Sequence, residues 1–313
     1  MSQTYNNLLH PYNTRSNANG MEKLLKYKIS SKELGRGAFS KVLEATFKEA
    51  NTKVAMKIVK LEDLEDKYIT LSLNEVQLLR RIHSPNVIKL YDAFVHQKTL
   101  HVALELIDGV DLAVRIQVMR DRGSVFSERS IWYKFHQICC GLKDLHDKRI
   151  LHRDLKPANI FITSKYQVKI GDLGLSRQCS PATNNLKTHV GTEYYMAPER
   201  NIGEGYHFQS DIWSLGCLLY ELCTFRSPFN GELTNAYSLH KKINNGDIIP
   251  FPMNVYSEHL SYFTYACLNT KSEERPNASE CFEAARAMYE KFESMLADYK
   301  AATRQTSSLK KTL

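Results

Sequence analysis

Between Tyr27 and Leu106 the chain is cut into short β-branched and aromatic runs, and after Ser127 it changes to helical spacing. That change of period constrains the fold most, because alternation buries one face of a sheet whereas a 3.6-residue period buries one stripe of a helix. The runs are Tyr27 to Leu34, Lys41 to Phe47, Val54 to Lys60, Val87 to Val95 and Leu100 to Leu106. Short strands with tight turns between them predict a five-stranded antiparallel sheet. One interval departs from the pattern: from Leu61 to His83, the residues Ile69, Leu73, Val76, Leu79 and Ile82 recur at helical steps and predict the single large helix of this half. Past Ser127, an N-cap residue, Ile131, Phe135, Ile138, Leu142 and Leu145 keep alternating steps of four and three. From Ser210 to Tyr220 the chain is apolar nearly all round, which predicts a helix at the centre of its lobe. The expected class is α+β, with a sheet-based lobe over about 27–106 and a mainly helical lobe over about 110–300. Residues 1–22 and 301–313 are polar with little periodicity and are expected to be flexible tails around one domain, 23–300.

Composition narrows the function. The formal charge is +8, but basic residues are spread along the chain with acidic ones between them, which argues against nucleic acid as the partner. Seven cysteines form no CxxC pair, and several fall inside apolar helical patterns, as buried thiols in a reducing compartment do. No apolar run approaches the roughly 18 residues of a membrane span, and the first residues lack a signal-peptide core. Cytoplasm, nucleus, or both are the expected locations.

The chemistry concentrates on Leu151-His152-Arg153-Asp154-Leu155-Lys156-Pro157-Ala158-Asn159, a loop that follows the Ser127 helix. Phosphoryl transfer needs an oriented nucleophile, charge neutralisation and metal ligands, and Asp154, Lys156 and Asn159 can fill those roles. After a short hairpin, Ile160 to Phe161-Ile162 and Val168 to Ile170, comes Gly171-Asp172-Leu173-Gly174, where a carboxylate bracketed by glycines is suited to Mg²⁺. Near the start, Gly35-Arg36-Gly37-Ala38-Phe39-Ser40-Lys41-Val42 is a turn whose glycines let backbone N–H groups approach phosphates. His152, beside Leu151, reads as a packed structural histidine. Among these motifs no single one is specific; their order and spacing are.

Together they resemble the eukaryotic protein kinases, over about residues 27–292. The resemblance implies the bilobal kinase fold with ATP and Mg²⁺ in the cleft between lobes. It implies that Asp154 is the base, that Lys156 steadies the phosphate, that Lys57 of Val54-Ala55-Met56-Lys57 pairs with Glu75, and that Asn159 and Asp172 hold metal. It implies a nucleotide site of Leu34, Gly35, Arg36, Gly37, Ala38, Phe39, Ser40, Lys41, Val42, Ala55, Lys57, Leu104, Glu105, Ile107 and Phe161, with Leu104 behind the adenine and backbone groups of Glu105 to Ile107 on its edge. Ala197-Pro198-Glu199 matches the kinase anchor, with Arg275 as the expected partner of Glu199. Lys156 and Thr192 look like the serine/threonine branch. Leu173, Tyr194-Tyr195-Met196 and the Ser210 to Glu221 helix are similar to NIMA-related kinases, whose short members are little more than a catalytic domain; Glu193 departs from a common proline. That likeness implies protein substrates, an activating kinase or partner protein, a monomer, roles in mitotic, microtubule or ciliary regulation, and association with spindle poles. It also implies an activating phosphosite at Thr188, received by Arg153. A pseudokinase scaffold and a small-molecule phosphotransferase are the rival readings. The first would lack one of Lys57, Asp154 or Asp172, and the second has no reason to carry Ala197-Pro198-Glu199.

Overall fold

The computed structural model describes residues 17–37, 40–172, 193–201, 205–229, 236–252 and 254–309. Its first half is a five-stranded antiparallel sheet of β1 (Tyr27–Arg36), β2 (Ser40–Phe47), β3 (Thr52–Lys60), β4 (Leu90–His96) and β5 (Thr99–Glu105), ordered β1-β2-β3-β5-β4. Alternation along the strands splits their apolar residues between two faces. Val59, Leu100 and Val102 pack with Leu61 and with Ile69, Leu73 and Val76 of a long helix; Val54, Met56 and Ala103 form a second cluster with Tyr27, Ala45 and Phe94.

A helix that the sequence pattern hides precedes the sheet. The expected tail 1–22 is too long, because α1 (Asn17–Leu25) packs on the lobe. Leu24 joins the Tyr27 cluster, Lys23 Nζ lies 3.0 Å from Asp92, and Lys48 Nζ donates to the Leu25 carbonyl at 2.5 Å. The helix therefore rests on β4, an edge strand whose unpaired side would otherwise face solvent. Gly20 permits the approach: a Cβ there would sit 2.3 Å from the Val95 carbonyl oxygen. Gly20→Val is expected to cost about 1–3 kcal/mol through overpacking, read as a lower urea midpoint. An unchanged midpoint would show that α1 does not pack here.

The long helix of this lobe is α2 (Asp66–Arg80), shorter than the predicted Leu61 to His83 because Leu61–Asp63 forms a separate 3₁₀ turn. Beyond β5 come β6 (Gly109–Asp111) and α3 (Leu112–Asp121), whose first turn is capped by Asp111 accepting from the Val114 N–H at 2.9 Å. Next is α4 (Glu128–Asp147), capped by Ser127 as expected, with Ile131, Phe135, Ile138, Leu142 and Leu145 all wholly buried. Strands β7 (Ile160–Thr163) and β8 (Val168–Ile170) complete a small sheet with β6.

The short α5 (Pro198–Asn201) leads to α6 (Phe208–Thr224), in which 13 of 17 residues are buried, bearing out its central place. Helices α7 (Ala236–Asn245), α8 (Glu258–Cys267) and α9 (Ala278–Leu309) finish the lobe. The helix α9 runs antiparallel to α4, with Tyr289 stacked on His136 at 4.7 Å and Glu293 bonded to Arg129 at 2.7 Å. The tail expected from 301 is instead helical to Leu309, since Ala301, Ala302 and their neighbours favour helix and Thr303 bonds back to the Tyr299 carbonyl. Among the described residues six cysteines are free thiols, five of them buried, and no helix is long and apolar enough to cross a membrane.

Candidate active site

A cleft of about 820 Å³ lies between the sheet and the helical half. Leu34, Gly35, Arg36, Gly37, Ser40, Val42, Ala55 and Lys57 line its roof, and Leu104, Glu105 and Ile107 its back. Asp154, Lys156, Asn159, Phe161 and Asp172 line its floor. The glycine turn is closed by the Gly37 N–H donating to the Ser40 carbonyl at 2.7 Å. One expected member is absent. Lys41 is exposed and does not line the cleft, because strand alternation that turns Ser40 and Val42 inward turns Lys41 out. Ala38 and Phe39 lie outside the described residues, as do Thr188 and Leu173. Glu75 sits on α2 between Asn74 and Val76, but its side chain is likewise outside what is described.

On the floor, the loop after α4 forms a compact set. Asp154 Oδ2 accepts from Lys156 Nζ at 2.9 Å and from Asn159 Nδ2 at 2.9 Å, and Asn159 Nδ2 also reaches the Asp154 carbonyl at 2.8 Å. Both side-chain bonds of Asn159 use its nitrogen, so Oδ1 faces no partner among the described residues. The Gly171 N–H donates to the Asn159 carbonyl at 2.8 Å, which ties this loop to Asp172. Asp172 takes a left-handed φ of 40° and meets Lys57 Nζ at 3.3 Å. The Lys57 ammonium holds the Asp172 carboxyl below the usual range, against the opposing effect of burial. His152 is fully buried with a ring nitrogen 3.0 Å from the Gly171 carbonyl, as a structural histidine should be.

Glu105 lines the back of the cleft, and its carboxylate accepts from Lys169 Nζ at 2.9 Å and from the Lys89 N–H at 3.2 Å.

What holds the loop is Asp211 of α6, which the sequence reading did not single out. Its Oδ2 accepts from the His152 N–H at 2.8 Å and its Oδ1 from the Arg153 N–H at 2.9 Å, while the His146 ring lies at 2.9 Å and the Tyr206 hydroxyl donates as well. Burial alone would push Asp211 up, but the His146 and Tyr206 bonds and nearby His152 outweigh it and hold the carboxylate below its usual range. The bonds fix Arg153 at φ 68°, a left-handed conformation that an arginine adopts only when its surroundings impose it. One signal was available: a charged residue in a helix apolar nearly all round must have a partner.

The anchor after the loop region is present. Arg275 grips Glu199 in a bidentate pair at 2.9 Å on each arm, with Ser210 Oγ donating to the same carboxylate at 2.7 Å.

Residues 28–285 match the family model described as the protein kinase domain. The probable serine/threonine-protein kinase nek2 of Dictyostelium discoideum is 35% identical over 252 residues, covering 79% of this chain and 59% of that one. Serine/threonine-protein kinase Nek5 of Mus musculus is 37% identical over 249 residues, 79% of this chain and 38% of that one. Nek9 of Xenopus laevis, another serine/threonine-protein kinase, is 37% identical over 257 residues, 82% of this chain and 27% of that one. The chain thus spans between about a quarter and three fifths of the length of these curated relatives. By the match to its domain and the agreement of these relatives, the chain belongs to the protein kinase family, in its NIMA-related serine/threonine branch.

Proposed function

We propose that the chain is an ATP-dependent protein kinase that phosphorylates serine and threonine side chains. The observation that carries this reading is the cluster of Asp154, Lys156 and Asn159 facing Asp172 and Lys57 across the floor of one cleft. In this reading the Asp154 carboxylate orients the substrate hydroxyl and accepts its proton, while Lys156 neutralises charge on the transferring phosphate. Lys57, with Glu75 as its expected second partner, positions the triphosphate.

The oxygen set suits Mg²⁺. Asn159 Oδ1 and the Asp172 carboxylate are hard donors at the end of the cleft where phosphates would lie. Two protein ligands are few for a stand-alone metal site but fit an ion that shares its shell with phosphate oxygens and water. Bound there, Mg²⁺ would neutralise phosphate charge. A scaffold without activity would be favoured by loss of Lys57, Asp154 or Asp172, and all three are present.

Arg153 supports a switch. Its Nε is buried with no hydrogen-bond partner among the described residues, and a phosphate on Thr188 would supply about one to three charge-assisted bonds. The expected setting is regulation of mitosis, microtubules or cilia in the cytoplasm, with nuclear or spindle-pole association and an upstream kinase or partner protein acting on Thr188.

Incubating the purified chain with labelled ATP, Mg²⁺ and arrays of serine, threonine and tyrosine peptides tests the activity. Label is expected on serine and threonine, faster after stoichiometric phosphorylation of Thr188 and not in Thr188→Ala. No transfer from either form overturns the kinase reading; equal rates in all three remove Thr188 alone.

A further inference from the structure

Helices α3 and α4 bring two cations together. Arg115 of α3 and Lys134 of α4 are both half-buried, and Arg115 lies near enough for its charge to act on Lys134. Among the described residues neither has a carboxylate partner.

The setting disfavours an ammonium. Lys134 Nζ lies 4.8 Å from the ring centroid of buried Phe126, which covers it with apolar surface. A ring face stabilises an ammonium less than the loss of its water destabilises it. Burial first, and the Arg115 charge second, pull Lys134 down from the ordinary lysine range to about 8. At pH 7.5 about a quarter of the molecules then carry the free amine, against about one in a thousand for an ordinary lysine.

The hydrogen bonds fit the neutral form. Lys134 Nζ donates to the Ser130 carbonyl at 2.9 Å and to the Ser130 hydroxyl oxygen, one turn earlier on α4. An ammonium has three donors, whereas a neutral amine has two and a lone pair. Two bonds to Ser130 occupy both N–H groups of the amine and leave the lone pair for a reactant. Carbon dioxide is small and uncharged, so it can enter apolar surroundings, and it combines with neutral amines alone. Its product is an anion, and Arg115 is the cation beside it.

We propose that Lys134 is a carbamate site, whose amine takes up dissolved carbon dioxide and whose product has Arg115 as counter-charge. The nitrogen lone pair forms the N–C bond, one C–O π pair moves onto oxygen, and an amine proton leaves to water; nothing is oxidised or reduced. One N–H remains for the Ser130 carbonyl, and the Ser130 hydroxyl turns from accepting to donating, toward a carbamate oxygen. Two neighbouring cations thereby become an ion pair that ties α3 to α4. Val114, next to Arg115, lines the nucleotide cleft, so the pair fastens the helix that borders that cleft.

The test equilibrates the full chain at pH 7.5 with isotopically labelled bicarbonate and its dissolved carbon dioxide. Triethyloxonium then traps carbamates as ethyl esters, which peptide mass spectrometry locates. Labelled ester at Lys134 should exceed that at exposed Lys28 and Lys41 by about tenfold or more, as the larger amine fraction implies. Arg115→Gln should lower the Lys134 ester by about three- to tenfold, through loss of the counter-charge, and Arg115→Lys should restore most of it. Lys134→Arg should carry no ester at this position, which checks the peptide assignment. Circular dichroism establishes that each variant is folded; if Arg115→Gln does not fold, the ratio of Lys134 to Lys28 and Lys41 in the wild type decides. Ester at Lys134 no greater than at Lys28 and Lys41, or undiminished in folded Arg115→Gln, overturns the proposal.

Discussion

Asp154→Asn is expected to lower phosphoryl transfer by about 10²–10⁴-fold, with the fold and nucleotide binding retained. The substitution is nearly isosteric, and an asparagine oxygen can still accept from Lys156 and Asn159, which both contact Asp154 Oδ2. The loop is also held independently, through the backbone bonds from His152 and Arg153 to Asp211. What is lost is basicity, because an amide cannot take the hydroxyl proton. Transfer rate and ATP affinity measured on the same preparation separate this from misfolding. A variant that keeps more than about a tenth of wild-type turnover would falsify the role of Asp154 as base.

The largest effect on stability is expected at Arg275. Arg275 and Glu199 are 3% and 4% exposed, so Arg275→Met leaves a carboxylate in the interior with Ser210 as its remaining side-chain donor. Breaking a buried pair from one side costs about 3–5 kcal/mol, a large share of the roughly 5–15 kcal/mol that holds a domain together. The loss depends on pH with a defined sign. In the wild type, burial pushes Glu199 up but the bonds from Arg275 and Ser210 prevail, so it lies below its ordinary value. The pair's contribution is therefore complete above the unfolded glutamate value and disappears as pH falls through the lowered folded one. In Arg275→Met the unpaired carboxylate shifts the other way, so the deficit should be greatest near neutrality and shrink on acidification. Urea midpoints at pH 7 and pH 5 check this, and a deficit that grows toward pH 5 is the contrary result. Adding Glu199→Gln should recover part of the loss at pH 7, since a neutral amide is cheaper to bury unpaired.

How far these features could be read from the residues depends on the range over which the deciding contacts act. Strands β1 to β5 and helices α4 and α6 were legible because their apolar residues repeat at the element's own period. The floor of the cleft was legible for a related reason: Asp154, Lys156 and Asn159 meet within one loop. Lys41 was assigned to the nucleotide because it sits within a motif, yet the alternation of its own strand turns it outward. The helix α1 escaped notice because it is nine residues long and polar in composition, and it is stabilised by Asp92 and Phe94, which lie far along the chain. Asp211 escaped for the same reason: its partners His152 and Arg153 are 59 and 58 residues away.

The match to the kinase family covers 28–285, but the packing does not stop there. Before it, α1 braces β4 through Gly20 and Lys23; after it, α9 clasps α4 through Tyr289 and Glu293. The physical unit is longer than the homologous one at both ends, and each extension touches a different lobe. A truncation at the homology boundary would therefore soften one lobe or the other rather than trim idle chain. Since neither brace includes a motif residue, sequence drift at the two ends can tune the stiffness of the nucleotide-binding lobe and of the lobe that carries the catalytic loop independently of each other.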